Sequence, residues 1–366
     1  MIRPITNTYG VCPVYDELKF EHYGSRGRIA IARGILEGKL DYDKKLIDVL
    51  YTCLGCGLCA EVCPMYDWAK VDTPLVIRAL HQDIFEKGYE IPESHRQSLA
   101  NIEKEQNPFA RKKKERLAWS QDLNMPTGGD IILFPGCDFS YQQPETIRKL
   151  VTLLKKAKMD IGISKDEGCC GYPALWAGNV SLARKMAINN VEEMQKAGAK
   201  KVVTMCPSCY ITLKDDYPEL IGKKSNFEVL HITEVLANLV EEERLRFKEF
   251  PHKVTYHDPC QLARRGNIYE APRRVLKSIP NIEFVEPLRH SLNTWCCGGG
   301  GLVPLMSLNL SLNLASKRMM ELKDNEVETV VTACPFCEKM LRLASKKLKM
   351  NTKVYYISDF LSKLDC

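Results

Sequence analysis

Residues 201–209 read KVVTMCPSC, and residues 329–337 read TVVTACPFC. In each stretch, a short run rich in β-branched residues ends directly at two cysteines that are separated by two residues. Such runs predict buried strands. Because the two stretches are alike and begin 128 residues apart, they indicate an internal duplication.

The duplication covers five cysteines in each copy. One cysteine closes ILFPGC at 132–137 in the first copy and TYHDPC at 255–260 in the second. A vicinal pair lies in GCCGYP at 168–173 and in WCCGGGG at 295–301, and the CxxC pair described above completes each set. The gaps are 31 and then 35 residues in the first copy, and 35 and then 36 in the second. Two related units therefore follow each other along the chain.

Strands alternate with amphipathic helical patterns in both copies, which predicts βαβ units around a parallel sheet and hence an α/β fold. In such sheets, ligands gather beyond the carboxyl ends of the strands. Because the β-branched runs end at cysteines, we expect each set of five to meet at one edge of its sheet. We also expect the two copies to face each other across a pseudo-twofold axis.

Cysteine is the residue type that stands out in the composition. The chain has 16 cysteines in 366 residues, with 27% charged residues, 45% apolar residues and a net charge of +6. Eight disulfides would suit a small secreted domain, whereas this chain is long, has no secretory leader and is rich in CxxC pairs. The cysteines are therefore interpreted as ligands of metal centres.

Charge and hydropathy argue against nucleic-acid binding and membrane-spanning roles. No run of about 18 apolar residues is present, so we expect no transmembrane segment in the chain itself. The densest basic run, RKKKER at 111–116, lies in a polar stretch. We interpret it as a solvated linker or docking surface, and we expect no nucleic-acid partner.

The spacing of the cysteines does not by itself separate zinc from iron–sulfur clusters. Zinc is satisfied by four ligands, and a cubane cluster has four iron corners. Each copy offers five cysteines, two of them adjacent. Five thiolates indicate a more open cluster or one redundant cysteine, and a structural zinc protein is the alternative.

The front of the chain carries a different cysteine motif. Residues 53–64 read CLGCGLCAEVCP, which is the C-x₂-C-x₂-C-x₃-C-P run of bacterial ferredoxins and predicts one cubane 4Fe–4S cluster. In two-cluster ferredoxins the last cysteine of each run ligates the other cluster, and VCPVY at 11–15 resembles the end of such a run. We therefore predict Cys12 as the fourth ligand, with Cys63 as the alternative.

The repeated cysteine pattern resembles the CCG-domain signature of the catalytic subunits of heterodisulfide reductase. The front motif, the helical stretch YGSRGRIAIARGILEGKL and the linker QNPFARKKKERLAW are similar to the D-type subunits of that family, although one cubane motif is present here where two are usual. The resemblance implies that each CCG motif holds a non-cubane 4Fe–4S cluster through all five cysteines. With the predicted front ligands, the cluster-binding residues are Cys12, Cys53, Cys56, Cys59, Cys137, Cys169, Cys170, Cys206, Cys209, Cys260, Cys296, Cys297, Cys334 and Cys337.

These motifs divide the chain into four parts. We expect a helical ferredoxin-type domain at 1–89, a linker at 90–127, and the two CCG repeats at 128–250 and 251–366. Of the cysteines left without a cluster, Cys63 is the remnant of a lost site and Cys366 is interpreted as a free surface thiol.

The resemblance implies an oxidoreductase that reduces a disulfide of the type formed by coenzyme M and coenzyme B. Two facing clusters each supply one electron as the bond breaks. The second interpretation is an electron-transfer subunit without a substrate of its own, as in the related lactate, glycolate and glycerol-3-phosphate dehydrogenase complexes.

Residues around the second set of cysteines are candidates for substrate chemistry. His257 is predicted to be a catalytic proton donor to the departing thiolate, and Arg264 and Arg265 to meet anionic groups of the substrate. The other interpretation of all three is structural or solvated. Glycines 298–301, against one glycine at 171, suggest that the second site is the more open one.

Partners and location follow from the same chemistry. The chain carries no GxGxxG or GxxxxGK motif, so flavin or nucleotide is expected on a partner. We expect a flavoprotein, a ferredoxin-like protein or a membrane cytochrome as redox partner. Oxygen-sensitive clusters and reduced cysteines point to an anaerobic cytoplasm, with membrane association through a partner only.

Overall fold

Two four-stranded parallel sheets form the framework of the chain in a computed structural model, which describes residues 10–63, 71–323 and 326–365. The first sheet has the order β2-β1-β3-β4, with β1 Ile131–Phe134, β2 Gly162–Ile163, β3 Lys201–Thr204 and β4 Glu228–His231. The second has the order β6-β5-β7-β8, with β5 Lys253–His257, β6 Glu283–Phe284, β7 Thr329–Thr332 and β8 Lys353–Tyr356. The prediction of an α/β fold with parallel sheets is confirmed.

Six α-helices precede the first sheet within residues 10–63 and 71–130, the part of this region that the structure describes. They are α1 Pro13–Leu18, α2 Ser25–Leu36, α3 Lys44–Tyr51, α4 Leu58–Glu61, α5 Thr73–Glu86 and α6 Glu93–Glu105. Asp43 and Asp72 are the N-caps of α3 and α5. Their side chains accept hydrogen bonds from the backbone N–H groups of Leu46 and Leu75, respectively. The helix α6 lies within the segment 90–127 that the sequence assigned to a linker.

The other described helices follow the strands and, apart from the last one, connect them. In the first repeat they are α7 Cys137–Gln142, α8 Pro144–Lys156, α9 Tyr172–Ala177, α10 Val180–Lys196, α11 Pro207–Ile211, α12 Tyr217–Ile221 and α13 Ile232–Glu241. In the second they are α14 Glu270–Lys277, α15 Val303–Met306, α16 Leu308–Lys323, α17 Pro335–Lys347 and α18 Ile357–Leu361. Two π-helical turns, Thr212–Asp216 and Gln261–Arg265, each follow a cysteine motif, and such turns are frequent at functional sites.

The sheets are held by buried apolar strands in matched register. Leu133 pairs with Val203 in the first sheet, and Tyr256 pairs with Val331 in the second; all four residues are fully buried. Strands that are buried on both faces need continuous apolar runs, which explains the β-branched stretches of the sequence. The strand ends, and with them the cysteines, are fixed by this core.

The front helices contact both repeats. The Tyr51 hydroxyl donates a hydrogen bond of 3.0 Å to the carbonyl oxygen of Ala177 at the end of α9, and its ring stacks on His81. On the other side, Lys317 of α16 forms ion pairs of 2.8 and 2.9 Å with Asp16 and Glu17 of α1. The front part is therefore anchored on both repeats at once.

The two repeats also contact each other directly. The buried Tyr356 hydroxyl, at the end of β8, donates to the carbonyl oxygen of Met205 at 2.7 Å, and the Tyr356 ring packs edge-on against Phe139. Asp359 of α18 accepts from Thr146 of α8 at 2.8 Å. These contacts join the two sheets at the cysteine-bearing edges.

Candidate metal centres

The cysteines lie where the strands end, as the sequence predicts. Cys137 and Cys206 follow β1 and β3 by three and two residues, and Cys260 and Cys334 follow β5 and β7 in the same way. Because β1 and β3 are neighbours in one sheet, and β5 and β7 in the other, each set is brought to one carboxyl edge. All ten of these repeat cysteines are buried and unpaired by disulfides.

The N-terminal five-cysteine site is the set of the first repeat. Its thiols form a chain of hydrogen-bond contacts in the order Cys137, Cys169, Cys170, Cys209, Cys206. Hydrogen bonds from Cys169 and Cys209 lower the pKa of the Cys170 thiol to about 6, against the effect of burial. The contacts of the site therefore favour a thiolate at Cys170, the form that binds metals.

The C-terminal five-cysteine site repeats this arrangement. Its thiols are in contact in the order Cys260, Cys296, Cys297, Cys337, Cys334, and the Sγ atoms of Cys297 and Cys337 are 3.0 Å apart. Hydrogen bonds from Cys296 and Cys337 lower the pKa of the Cys297 thiol well below its usual value. The sequence duplication thus extends to the contact order of the ligands.

Residues of the first repeat close the C-terminal site. The five cysteines line a cavity of about 340 Å³, and Tyr172, Pro207 and Ser208 of the first repeat line its other wall. Phe336 and Gly299 contribute from the second repeat. The cavity therefore lies where the two repeats meet.

The front cysteines surround a second cavity, of about 370 Å³. Its lining includes Cys12, Cys53, Cys56 and Cys59, together with Arg28 and Thr73. Cys63 is half-buried and is not part of this lining. The fold thus gathers the four predicted ligands and leaves the alternative aside.

Burial raises the pKa of three front thiols, those of Cys12, Cys53 and Cys59, whereas hydrogen bonding lowers the pKa of the Cys56 thiol to about 6. Burial raises the pKa of the Cys12 thiol to about 11, although Arg28 opposes the shift, and the neighbouring Cys56 and Cys53 raise it further. Several thiolates in one small buried space require a cation among them. A metal cluster satisfies that requirement.

The front cavity and the C-terminal site adjoin each other. The thiols of Cys56 and Cys296 lie close enough to shift each other's pKa. Gln261 donates to the carbonyl oxygen of Gly55 at 2.9 Å, and Arg264 donates to that of Cys56 at 2.7 Å. The π-helical turn after Cys260 is therefore hydrogen-bonded to the front loop, which is the segment 53–57 between α3 and α4.

Arg264 also holds the loop before Cys296. Its Nη1 donates to the carbonyl oxygens of Leu292 and Thr294, both at 2.8 Å. Three backbone carbonyls therefore hold this guanidinium, its Nη2 is buried without a hydrogen-bond partner among the described residues, and the expected role of Arg264 toward a substrate stays a prediction. Arg265 is half-buried. Its positive charge opposes the rise that burial causes in the pKa of Asp215 and of Tyr172.

Two of the four glycines in WCCGGGG allow the front loop to approach. A Cβ atom at Gly300 would overlap the carbonyl oxygen of Leu54, and one at Gly301 would overlap that of Cys53. Gly301 also has a φ of +60°, a conformation that side chains disfavour. From the sequence we interpreted these glycines as giving a substrate access to the site. At Gly300 and Gly301, however, the front loop occupies the space that a side chain would fill.

His257 lies at the C-terminal site with a defined tautomer. Nε of the fully buried Arg318 donates to His257 Nδ1 at 3.2 Å, so the proton of the neutral ring resides on Nε2. Burial lowers the pKa of His257, and Arg318 adds to the effect, while the Cys297 thiol opposes it. A ring nitrogen lies within 4.8 Å of the sulfurs of Cys297 and Cys337. His257 is therefore a neutral N–H donor beside the cysteines.

The donor sets fit iron–sulfur clusters better than zinc. Each repeat supplies five buried sulfur ligands in one contact chain, one more than a tetrahedral zinc site uses. The four front sulfurs line one cavity, as a cubane requires. Cys366 lies outside the described residues.

Two buried arginines beside the cysteines were not predicted. Arg28 of α2 is 2% exposed, bonds to Thr52 Oγ1 at 2.8 Å and lines the front cavity. Arg116 is 3% exposed and bonds to Cys137. From the sequence, Arg116 was interpreted as part of a solvated linker or docking surface; for Arg28 the available signal was its place four residues before the buried Ala32 on one helix face.

Comparisons with known proteins agree with these sites. The family model of the cysteine-rich domain termed CCG matches residues 131–214 and 254–342, and that of a 4Fe-4S dicluster domain matches residues 8–66. A crystal structure of a hypothetical protein from Helicobacter pylori superposes with a TM-score of 0.61 at 11% identity, covering 93% of this chain and 67% of that one. It shares the fold.

Two relatives carry names that describe activities. The chain is 31% identical over 348 residues to the D-type subunit of the dihydromethanophenazine:CoB–CoM heterodisulfide reductase of Methanosarcina barkeri, covering 93% of this chain and 83% of the relative. It is 29% identical over 351 residues to the EtfAB:quinone oxidoreductase of Syntrophomonas wolfei, covering 90% of this chain and 48% of that protein. No described helix is long and apolar enough to cross a membrane. The chain belongs to the family of D-type heterodisulfide reductase subunits, whose members are iron–sulfur proteins with CCG domains.

Proposed function

We propose that this protein is the catalytic iron–sulfur subunit of a disulfide reductase, with one cubane and two non-cubane 4Fe–4S clusters. Cys12, Cys53, Cys56 and Cys59 hold the cubane, and each five-cysteine site holds one non-cubane cluster. One observation supports the proposal above all: the front loop and the two repeats meet at the C-terminal cavity. The C-terminal cavity is lined by both repeats, and Cys296 at its wall lies close to Cys56 of the front loop.

The reaction reduces one S–S bond. Two electrons and two protons convert the disulfide into two thiols; the electrons come from a redox partner such as a ferredoxin, a flavoprotein or a cytochrome, and the protons come from solvent water. Bound clusters supply these electrons one at a time. The protein's own residues must admit the disulfide, orient its charged ends and stabilise the departing thiolates.

The residues around the C-terminal cavity suit that task. The heterodisulfide of coenzyme M and coenzyme B carries anionic groups, and Arg265 is the half-buried cation next to Tyr172, which lines the cavity. His257 is the proposed catalytic residue. The hydrogen bond from Arg318 fixes the tautomer with the proton on Nε2. This N–H group has no hydrogen-bond partner among the described residues and donates a hydrogen bond to a departing thiolate.

A pseudo-twofold relation between the repeats is part of the proposal. The two sheets have the same strand order, and the ligand thiols have the same contact order. Tyr356 at the end of β8 and His231 at the matching end of β4 both bond to the carbonyl oxygen of Met205, at 2.7 and 3.3 Å. These contacts bring corresponding strand ends of the two repeats together, which supports two facing sites.

Turnover tests the proposal. The anaerobically purified protein, with its iron content measured, is mixed with reduced viologen and with a panel containing the coenzyme M–coenzyme B heterodisulfide, cystine and oxidised glutathione. We expect viologen oxidation with an anionic heterodisulfide and its loss in the Cys260→Ser variant. Failure on every disulfide by a protein with intact clusters would overturn the catalytic role.

The second candidate function is an electron relay without a substrate of its own. The relative named as an EtfAB:quinone oxidoreductase favours it, since that name describes electron transfer to quinone. In this case viologen oxidation is absent with disulfides and appears when a quinone-linked or flavin-containing partner is added. The same purified protein serves both measurements.

A further inference from the structure

The basic run at 111–116 does not stay together in the fold. Arg111, Lys112 and Lys114 are exposed, and Lys113 and Glu115 are half-buried, whereas Arg116 is 3% exposed. A buried guanidinium is costly unless it is paired. The position of Arg116 therefore requires an explanation that the interpretation as a solvated linker does not give.

Arg116 contacts the first ligand of the N-terminal five-cysteine site. Its Nη1 donates to the sulfur of Cys137 at 3.3 Å, and its Nε donates to Glu167 Oε1 at 3.0 Å. The guanidinium carbon lies 5.7 and 6.0 Å from the ring centroids of Phe134 and Tyr141. A thiol, a carboxyl group and two aromatic rings thus enclose it.

One nitrogen of Arg116 remains available. Its Nη2 is buried and has no hydrogen-bond partner within the described part of the chain. Burial disfavours the charge, but Cys137 and Glu167 together outweigh this effect and raise the pKa of Arg116 well above its usual value. The cation is permanent, and its free N–H group lies next to a cysteine that our proposed function assigns to a cluster.

The C-terminal site is built differently at the corresponding place. His257 and Phe134 each stand three residues before the first cysteine of their set. The buried Arg318 bonds to the His257 ring, so that an imidazole stands between its Nε and the cysteines. In the N-terminal site the guanidinium of Arg116 thus contacts a cysteine directly, whereas in the C-terminal site that of Arg318 contacts the His257 ring.

We propose that Arg116 positions Cys137 and raises the reduction potential of the cluster in the N-terminal site above the value that the site would have without this cation. Reduction adds negative charge to a cluster, and a nearby cation with N–H···S bonding favours the reduced form. The inference rests on the proposed occupancy of both sites by clusters. It assigns a redox role to the linker segment.

Potentiometric titration followed by electron paramagnetic resonance tests this role. The N-terminal signal is identified by its loss in Cys137→Ser, and the C-terminal signal by its loss in Cys260→Ser. In Arg116→Gln we expect the N-terminal signal to titrate at a lower potential, with at least a tenfold change in its oxidised-to-reduced ratio at fixed ambient potential, equivalent to about 59 mV for one electron. The C-terminal signal should not move.

Two further variants separate charge from structure. Arg116→Lys keeps the cation and should shift the signal less than Arg116→Gln, and it remains informative if the Gln variant does not fold. Arg148→Gln is the matched control, because Arg148 anchors the same segment through Trp119 and Asp122 without contacting a cysteine; it should leave both potentials unchanged.

Several results would overturn the inference. They are an unshifted N-terminal potential in Arg116→Gln, equal shifts in the Gln and Lys variants, or the same shift in Arg148→Gln. If the wild-type protein contains only one type of cluster signal, the proposed function fails first, and this outcome is distinct from a two-cluster protein that does not respond to Arg116.

Discussion

A methyl group at Gly301 should displace the front loop from the second repeat. The Cβ of Gly301→Ala would overlap the carbonyl oxygen of Cys53, a backbone atom with little freedom to move. Overpacking of this kind costs about 1–3 kcal/mol, and the left-handed backbone adds about 1–2 kcal/mol. We therefore expect a loss of about 2–5 kcal/mol in the free energy of unfolding.

Gly38→Ala is the control for the backbone part of this cost. Gly38 has a φ of +66°, close to the +60° of Gly301, and a Cβ there would meet nothing within 4 Å. It should lose only the cost of about 1–2 kcal/mol that the conformation imposes. The difference between the two variants isolates the contact with the front loop.

The assay combines stability and cluster integrity. Thermal unfolding of both variants, at one scan rate and under anaerobic conditions, should give a midpoint that is lower for Gly301→Ala by at least about 2 °C, at about 2–4 °C per kcal/mol. The cubane signal should be weakened in Gly301→Ala and normal in Gly38→Ala, because Cys53 is the displaced residue. Equal midpoints together with a normal cubane signal in both variants would refute the reasoning.

Three other tests address separate parts of the account. Cys12→Ser should abolish the cubane signal while Cys63→Ser spares it, and the reverse result would make the last cysteine of the front run the ligand. His257→Gln should lower disulfide turnover by about tenfold or more, a smaller effect than the ~10²–10⁴-fold of a proton-transferring group because the neutral ring donates a hydrogen bond, with iron content unchanged; unchanged turnover would remove the residue from the mechanism. Tyr356→Phe should cost about 1 kcal/mol of stability by loss of the buried bond between the repeats, against a negligible effect for the half-buried Tyr355→Phe, and equal effects would show that this bond does not join the repeats.

The strands and their cysteines could be predicted because the information is local. A run such as KVVTMCPSC carries both the β-branched residues that bury a strand and the ligands that follow it. The duplication then doubles the signal. Parallel sheets follow from the alternation with helices, and the carboxyl edge follows from the geometry of such sheets.

The residues around the cysteines could not be predicted in the same way. Arg116 is separated from Cys137 by 21 positions and Arg264 from Cys56 by 208, and no local pattern reports which charged side chain is folded inward. The glycines of WCCGGGG show the same limit. Their sequence indicates a close approach, but only the fold shows that Cys53 and Leu54 are what approaches.

The iron and acid-labile sulfide content of the anaerobically purified chain tests the central claim most directly. Three clusters of four irons predict about 12 iron atoms and about 12 sulfides per chain. Cys137→Ser and Cys260→Ser should each remove about four of both. Zinc in place of iron, or about four iron atoms per chain in the wild type with no further loss in either variant, would contradict the assignment of a cluster to each set of five cysteines.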